Sequence, residues 1–276
     1  MRVNSKYRFG ISQGRLTSST ELQRFPKEAW QLEFKNAPSL GISFIELLTE
    51  RNYNKENPVW SAEGRKEIID LCSATGCSIY SLCMDYIIDH SLLNDPDGST
   101  KNHVKDVFYA AEAVGCKAVI FPLLEKSHID KSNILRYVDL FKNLSKLAQH
   151  HGLEIYIESL LDAHTLKNFF ILLDAKNIGA VFDTGNRVLA SDNLYDEIMV
   201  LDNFISHVHI KDKDRKGNNV ILGTGLVNFK RVFDALQEID YKGELNFETT
   251  RGVDPLNTAA YHLALCKFFM NEAASQ

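Results

Sequence analysis

Short runs of β-branched and aromatic residues alternate along the chain with longer segments of helical spacing, and a glycine stands at most of the joints. Gly41-Ile-Ser-Phe-Ile-Glu46, Gly76-Cys-Ser-Ile-Tyr-Ser81 and Gly115-Cys-Lys-Ala-Val-Ile-Phe121 repeat this unit. Gly152-Leu-Glu-Ile-Tyr-Ile-Glu158, Gly179-Ala-Val-Phe-Asp183 and Gly243-Glu-Leu-Asn-Phe-Glu248 continue it. Glycine takes the left-handed conformation after a helix at little steric cost, so each is expected to close a helix and release a strand. Phe9-Gly-Ile-Ser-Gln13 and Ser206-His-Val-His-Ile210 supply two further strands. Segments 27–40, 61–75, 101–114 and 133–150 carry helical spacing. In the last of these, Leu135, Val138, Leu140, Phe141, Leu144 and Leu147 roughly follow the i, i+3, i+4 rule.

Eight strands alternating with helices predict an α/β protein, a (β/α)8 barrel forming one domain over residues 1–276. The competing open, doubly wound sheet would more often carry a glycine-rich turn after its first strand, and Gly10-Ile-Ser-Gln-Gly14 does not match G-x-G-x-x-G. The longest excursion, 85–100, follows strand three and is rich in Asp, Asn, His and Gly. It reads as a substrate lid or as a variable surface loop.

Composition narrows the partners. The 276 residues are 45% hydrophobic and 24% charged, the proportions of a water-soluble globular chain. A net charge of -5 argues against nucleic acid as the main partner, because neutralising phosphates calls for a basic face. The N-terminal stretch lacks the apolar centre of a signal peptide, and no apolar run approaches the ~20 residues that cross a bilayer. A cytoplasmic protein with no membrane partner is the expectation. The five cysteines (Cys72, Cys77, Cys83, Cys116 and Cys266) form no C-x-x-C pair and read as reduced thiols.

In a barrel the C-terminal ends of all strands open on one face, and that face carries the chemistry. Strands five to eight bring Glu158, Asp183, His209 and Glu248 to those ends. Carboxylates converging there would repel one another and lose hydration, whereas a shared cation removes both costs; a salt-bridged polar rim without metal is the alternative. Three carboxylates and one imidazole suit a single Mn²⁺ or Mg²⁺ ion, with Zn²⁺ and Co²⁺ also compatible. Such a ligand set carries a formal charge of about -3, better for templating and polarising a sugar carbonyl than for making free hydroxide.

Ile155-Tyr-Ile-Glu158, Asp183-Thr-Gly-Asn186, His207-Val-His-Ile-Lys-Asp212, Arg215 and Phe247-Glu248 resemble the xylose isomerase-like TIM barrels, across essentially the whole chain. That superfamily includes sugar and sugar-phosphate isomerases and epimerases. In its ketose 3-epimerase branch, the positions matching Glu158, Asp183, His209 and Glu248 hold the metal. Those matching Glu158 and Glu248 also act as the paired acid/base groups. The resemblance implies substrate contacts at Arg215, six residues after His209, and at Glu46, taken as the end of strand two. Many members carry histidine three residues after the strand-six aspartate; here Asn186 stands there, a form that looks like the pentulose-5-phosphate 3-epimerases and points to a phosphorylated substrate. The resemblance further implies a homodimer or homotetramer.

Removing a proton beside a carbonyl leaves charge on the ketose oxygen, and a chelating metal stabilises the enediolate. Glu158 and Glu248 on opposite faces would invert the carbon, whereas transfer along one face would isomerise aldose and ketose; the ligand set alone allows either. Lys211 is a second anchor for a hydroxyl or phosphate, although Lys211 and Asp212 also read as an ion pair bracing the exit of strand seven. His207 shares a strand face with His209 and reads as its support or as a substrate contact. Gln13, Arg15 and Cys83 are expected to line the pocket, and Gly223-Thr-Gly225 offers either backbone N–H groups to a phosphate or a plain turn. The rival reaction is dehydration of an inosose or a dehydroshikimate-like acid. A metal-containing sugar-binding protein without catalysis is the alternative outside enzymes. An apurinic endonuclease needs a three-metal cluster with more histidines than His207 and His209.

Overall fold

A computed structural model describes residues 7–18 and 21–273. Eight parallel strands close into one barrel in sequence order: β1 (Phe9–Ser12), β2 (Phe44–Thr49), β3 (Ser78–Met84), β4 (Ala118–Pro122), β5 (Glu154–Glu158), β6 (Ile178–Asp183), β7 (Ile205–Ile210) and β8 (Glu244–Phe247). β8 pairs back onto β1 through Phe9, Gly10 and Ile11. The four helical segments read from spacing form at Trp30–Ser39, Ala62–Thr75, Ser99–Ala113 and Ile134–His150. Among the described residues no helix is long and apolar enough to cross a membrane. All five cysteines are free thiols, four of them buried.

The glycine beat holds at four of its six sites. Gly41, Gly76, Gly115 and Gly152 lie at φ 67 to 81°, and Gly76 N–H closes its helix on the Cys72 carbonyl at 2.9 Å. Gly179 and Gly243 do different work. The left-handed positions near them fall on Asp174 and Asp240, while a Cβ on Gly179 would lie 2.0 Å from Ser206 Oγ. There glycine is required for space between β6 and β7, not for its backbone angle.

Inside the barrel the side chains stack in layers. Phe44, Tyr80 and Tyr156 fill the base together with Ala118, Ile120 and Val181. Gly10 makes room for the Phe44 ring, which would lie 1.9 Å from a Cβ at that position. Above this base the interior becomes polar, around Ser12, Glu46, Ser81, His207 and Asn246, all 5% exposed or less. Two irregularities in register set this layer. β2 and β3 pair Ile45 with Ile79 and then Leu47 with Leu82, and β6 and β7 pair Ala180 with Ile205 and then Val181 with His207. An extra residue in a strand re-aims the side chains beyond it. The first turns Ser81 onto Glu46, and the second puts His207 and His209 on the inward face opposite Val181 and Asp183.

Segment 85–100 is no open loop: it carries a short helix, Tyr86–Asp89, with Ile87, Ile88 and Leu92 buried. Tyr86 stacks on His90 and His103 at centroid distances of 3.8 and 3.9 Å.

Candidate metal centre

The ends of β5 to β8 converge as their spacing requires. One oxygen or nitrogen from each of Glu158, Asp183, His209 and Glu248 lies within 4.8 Å of every other, and all four side chains are buried. Glu158 and Asp183 end their strands, His209 stands one before the end of β7, and Glu248 directly follows β8. His209 Nδ1 faces the carboxylates at 3.1 Å from Glu248, 3.9 Å from Glu158 and 4.0 Å from Asp183, yet it is buried without a hydrogen-bond partner. An unpartnered ring nitrogen among three carboxylates is an arrangement that a cation completes, so the donor set fits a divalent ion.

The opposite edge of the same ring meets Glu46. His209 Nε2 lies 3.2 Å from Glu46 Oε1 and 3.3 Å from Oε2, and His207 Nε2 lies 3.1 Å from Oε2. Ser12 Oγ and Asn246 Nδ2 donate to Glu46 Oε1 at 3.1 and 2.9 Å, and Ser81 Oγ donates to Oε2 at 2.7 Å. Glu46 therefore lies in the middle of β2, not at its end, and is 1% exposed. Its oxygens are spent on the barrel interior, where they fix which His209 nitrogen carries the proton. Burial alone would raise its pKa, but His209 and His207 hold it below the usual carboxylate range. Burial likewise opposes charge on His209, and Glu46 and Glu248 override it, raising its pKa well above the usual value.

The carboxylates are unlike one another. Burial, with Asp183 and Glu248 close by, pushes Glu158 up to about 7. Glu248 is as deeply buried, but Lys211 and His209 hold it well below the ordinary range. Lys211 Nζ lies 2.7 Å from both Asp183 Oδ2 and Glu248 Oε2. The Lys211–Asp212 pair anticipated at the exit of β7 does not form. Asp212 instead accepts from the backbone N–H groups of Gly223, Gly225 and Val227 at 2.9 to 3.0 Å. The Gly223 and Gly225 amides are thereby consumed inside the protein.

Asn186 Nδ2 donates to Glu158 Oε1 at 2.6 Å and Asp183 Oδ2 at 3.0 Å, tying two of the four donors together. Its backbone N–H donates to Asp183 Oδ1 at 2.8 Å, so that Asp183 caps the helical turn Thr184–Arg187. Gln13 braces β1 against β2, donating its N–H to the Glu46 carbonyl at 2.8 Å and accepting from Leu48 N–H at 3.5 Å. Arg215 is exposed on the turn 214–217. Cys83 Sγ donates to Asp85 Oδ1 at 3.4 Å.

The structure adds Gln23 and Asp85, which spacing did not single out. Gln23 Nε2 donates to Glu248 Oε1 at 2.9 Å and reaches Asp85 Oδ2 at 3.4 Å. Arg15 is fully buried, bonded to the Thr249 carbonyl at 2.9 Å and to Leu22 and Gln23, and lies 3.9 Å from Glu248. Glu33 accepts from Gly14 and Leu16 N–H at 2.9 to 3.0 Å and anchors the start of this segment. The segment after β1 thus reaches Glu248 through Gln23 and meets Asp85, the first residue after β3, beside it.

The family model described as "Xylose isomerase-like TIM barrel" matches residues 34–268. The chain belongs to this family. Within reach of the family lies the L-ribulose-5-phosphate 3-epimerase UlaE of Shigella flexneri, 24% identical over 78% of this chain and 80% of that one. D-Psicose 3-epimerase from Clostridium cellulolyticum H10, solved with D-tagatose, superposes with a TM-score of 0.76 at 16% identity, covering 95% of this chain and 99% of that one. A xylose isomerase-like TIM barrel protein from Mycobacterium smegmatis, solved in complex with magnesium, superposes with a TM-score of 0.70 at 15% identity over 97% of each chain. These structural likenesses show the shared barrel fold.

Proposed function

We propose that the protein is a divalent-metal-dependent epimerase or isomerase of a ketose or ketose phosphate, with inversion at the carbon beside the carbonyl as its reaction. The observation that carries this reading is the cluster itself, which holds two glutamates of opposed character within one set of metal donors. The 3-epimerase activities named for its relatives agree with it.

Glu158, Asp183, His209 and Glu248 would hold the ion. When bound, a divalent ion supplies charge stabilisation at the sugar carbonyl. One of Glu158 and Glu248, ionised, would take the proton from the carbon on one face, and the other, protonated, would return one to the opposite face. Asn186 keeps Glu158 and Asp183 in register, and Glu46 holds the His209 ring so that Nδ1 points to the donors. Burial keeps bulk water from protonating the carbanion indiscriminately.

Incubation with free ketoses and ketose phosphates in D₂O tests the chemistry. Deuterium should enter at carbon three of at least one sugar, with inversion there. Glu158→Gln should abolish the exchange, and both Glu158→Gln and His209→Ala should lose the near-stoichiometric metal of the parent. Loss of water from an inosose or keto acid, with no exchange into any ketose, would overturn the proposal in favour of a dehydratase.

A further inference from the structure

A cavity of about 450 Å³ opens between the segment following β1 and the segment following β2. Its volume is in the range of small-molecule sites, roughly 300–1,000 Å³. Gln23 forms part of its wall, and the same Gln23 amide donates to Glu248. The cavity and the metal cluster are therefore neighbours separated by one side chain. A substrate held at the cluster and longer than one sugar ring would extend into this space.

The charges around the cavity argue against a phosphate. Each basic side chain on its wall already has an acidic partner. Lys27 Nζ lies 2.7 Å from Glu56, Arg24 lies 3.5 Å from Glu21, and Arg51 lies 2.6 Å from Glu125 and 3.3 Å from Asp89. A dianion would have to break these pairs. None of the phosphate anchors suggested by the sequence is on this wall: Arg215 is exposed on its own turn, Lys211 is paired with Asp183 and Glu248, and the Gly223 and Gly225 amides are bound to Asp212. What the wall offers is an exposed aromatic ring with one amide beside it. Tyr53 is 59% exposed and backed by Trp60 at 5.4 Å, with Asn52 on the same wall, whereas the Asn54 amide is bound to Glu50 and the Gln23 amide to Glu248. An aromatic face receives the C–H face of a pyranose, and an amide pairs with its hydroxyls in both directions.

We propose that this cavity is a subsite for a second, uncharged sugar unit, so that the preferred substrate is a keto-sugar carried in a glycoside rather than a ketose phosphate. The inference rests on the metal-dependent epimerase reading and narrows its substrate.

Calorimetric titration of the manganese-loaded protein with D-fructose, D-fructose 6-phosphate and isomaltulose, a fructose bearing glucose on O6, tests it. Isomaltulose should bind about tenfold more tightly than fructose, equivalent to the ~1.4 kcal/mol that one added stacking contact supplies. Tyr53→Ala should bring the ratio of the two affinities towards one, with metal content and melting temperature serving as folding controls. Equal affinities for isomaltulose and fructose, or tightest binding of the phosphate ester, would overturn the subsite. Deuterium uptake from D₂O reads the chemistry separately. A preference for isomaltulose without uptake keeps the subsite and removes the epimerase, and uptake without the preference does the reverse.

Discussion

Lys211 is the residue whose replacement most directly probes the centre. Its ammonium lies 2.7 Å from Asp183 Oδ2 and from Glu248 Oε2, buried among groups proposed to hold a cation. Burial alone would strip its charge, but Asp183, Glu248 and Glu158 outweigh burial and raise its pKa. Lys211→Met keeps most of the side-chain volume and removes the charge. Taking one partner from a buried ion pair costs about 3–5 kcal/mol. At this chain length that corresponds to a fall in Tm on the order of 10 °C, to be measured by calorimetry in EDTA. Metal binding should change in the opposite direction. Two carboxylates freed from an internal cation attract Mn²⁺ more strongly, and a Kd about tenfold tighter is worth ~1.4 kcal/mol. At a free-metal concentration of about 1,000 Kd, binding to the native state restores ~4.1 kcal/mol, so manganese should recover most of the lost stability. A residue that merely filled space would lower stability without tightening the metal. An unchanged apo Tm, or a metal Kd that weakens in Lys211→Met, would refute the idea that Lys211 stands in for the cation.

Glu46→Gln keeps the shape of the buried side chain but removes the charge that faces His209 Nε2. Loss of such a partner weakens metal binding about 10–100-fold, and an unchanged Kd by titration would show that Glu46 does not orient the ring. Asp212→Ala strands the N–H groups of Gly223, Gly225 and Val227, at a cost of roughly 2–4 kcal/mol in urea unfolding; a loss below about 0.5 kcal/mol, the ordinary scatter of surface substitutions, would contradict its role as the brace of that loop. His262 is fully buried and accepts from Leu222 N–H at Nε2, at 3.3 Å. Burial lowers its pKa from 6.5 to about 4, so the unfolded chain binds the extra proton first as the pH falls. Its contribution is therefore complete above pH 6.5 and is lost on acidification towards pH 4, by up to about 3 kcal/mol. His262→Gln should flatten that part of the stability profile, and an unchanged slope between pH 6.5 and 4 would assign the acid sensitivity elsewhere.

The barrel and the convergence of four donors were legible because they depend on local signals. Each strand is a short apolar run, and the end of a parallel strand in a barrel faces one side whatever the rest of the chain does. Glu158, Asp183, His209 and Glu248 needed only that rule. Glu46 was misplaced because the end of β2 is set by pairing with β3, which continues to Thr49 opposite Met84. The alternation that would have shown Ser81 and Glu46 meeting is broken by the irregularity between them, and a bulge leaves no mark in an apolar run. Arg215 was assigned by distance along the chain from His209, yet the bridge between Lys213 and Asn219 folds those residues into an exposed turn. Gln23 lies in a stretch without periodicity, so only tertiary structure brings it 225 residues along the chain to Glu248.

His209 explains why the polar layer beneath the cluster exists at all. A buried carboxylate at Glu46 is costly unless its lone pairs are satisfied, and five side chains from β1, β3, β7 and β8 satisfy them. Part of what that arrangement secures is the orientation of one imidazole. With Nε2 turned to Glu46, Nδ1 can only face Glu158, Asp183 and Glu248. Replacing Glu46 with an apolar residue would leave His207, His209 and Asn246 short of acceptors and free the ring to rotate, so the interior layer and the four-residue cluster depend on one another. The aromatic base below, with the Tyr80 and Tyr156 hydroxyls 3.1 Å apart, supports His207 by stacking at 5.4 and 5.9 Å. The stack thereby carries the position of the donors down to the base of the barrel, where Gly10 leaves room for Phe44.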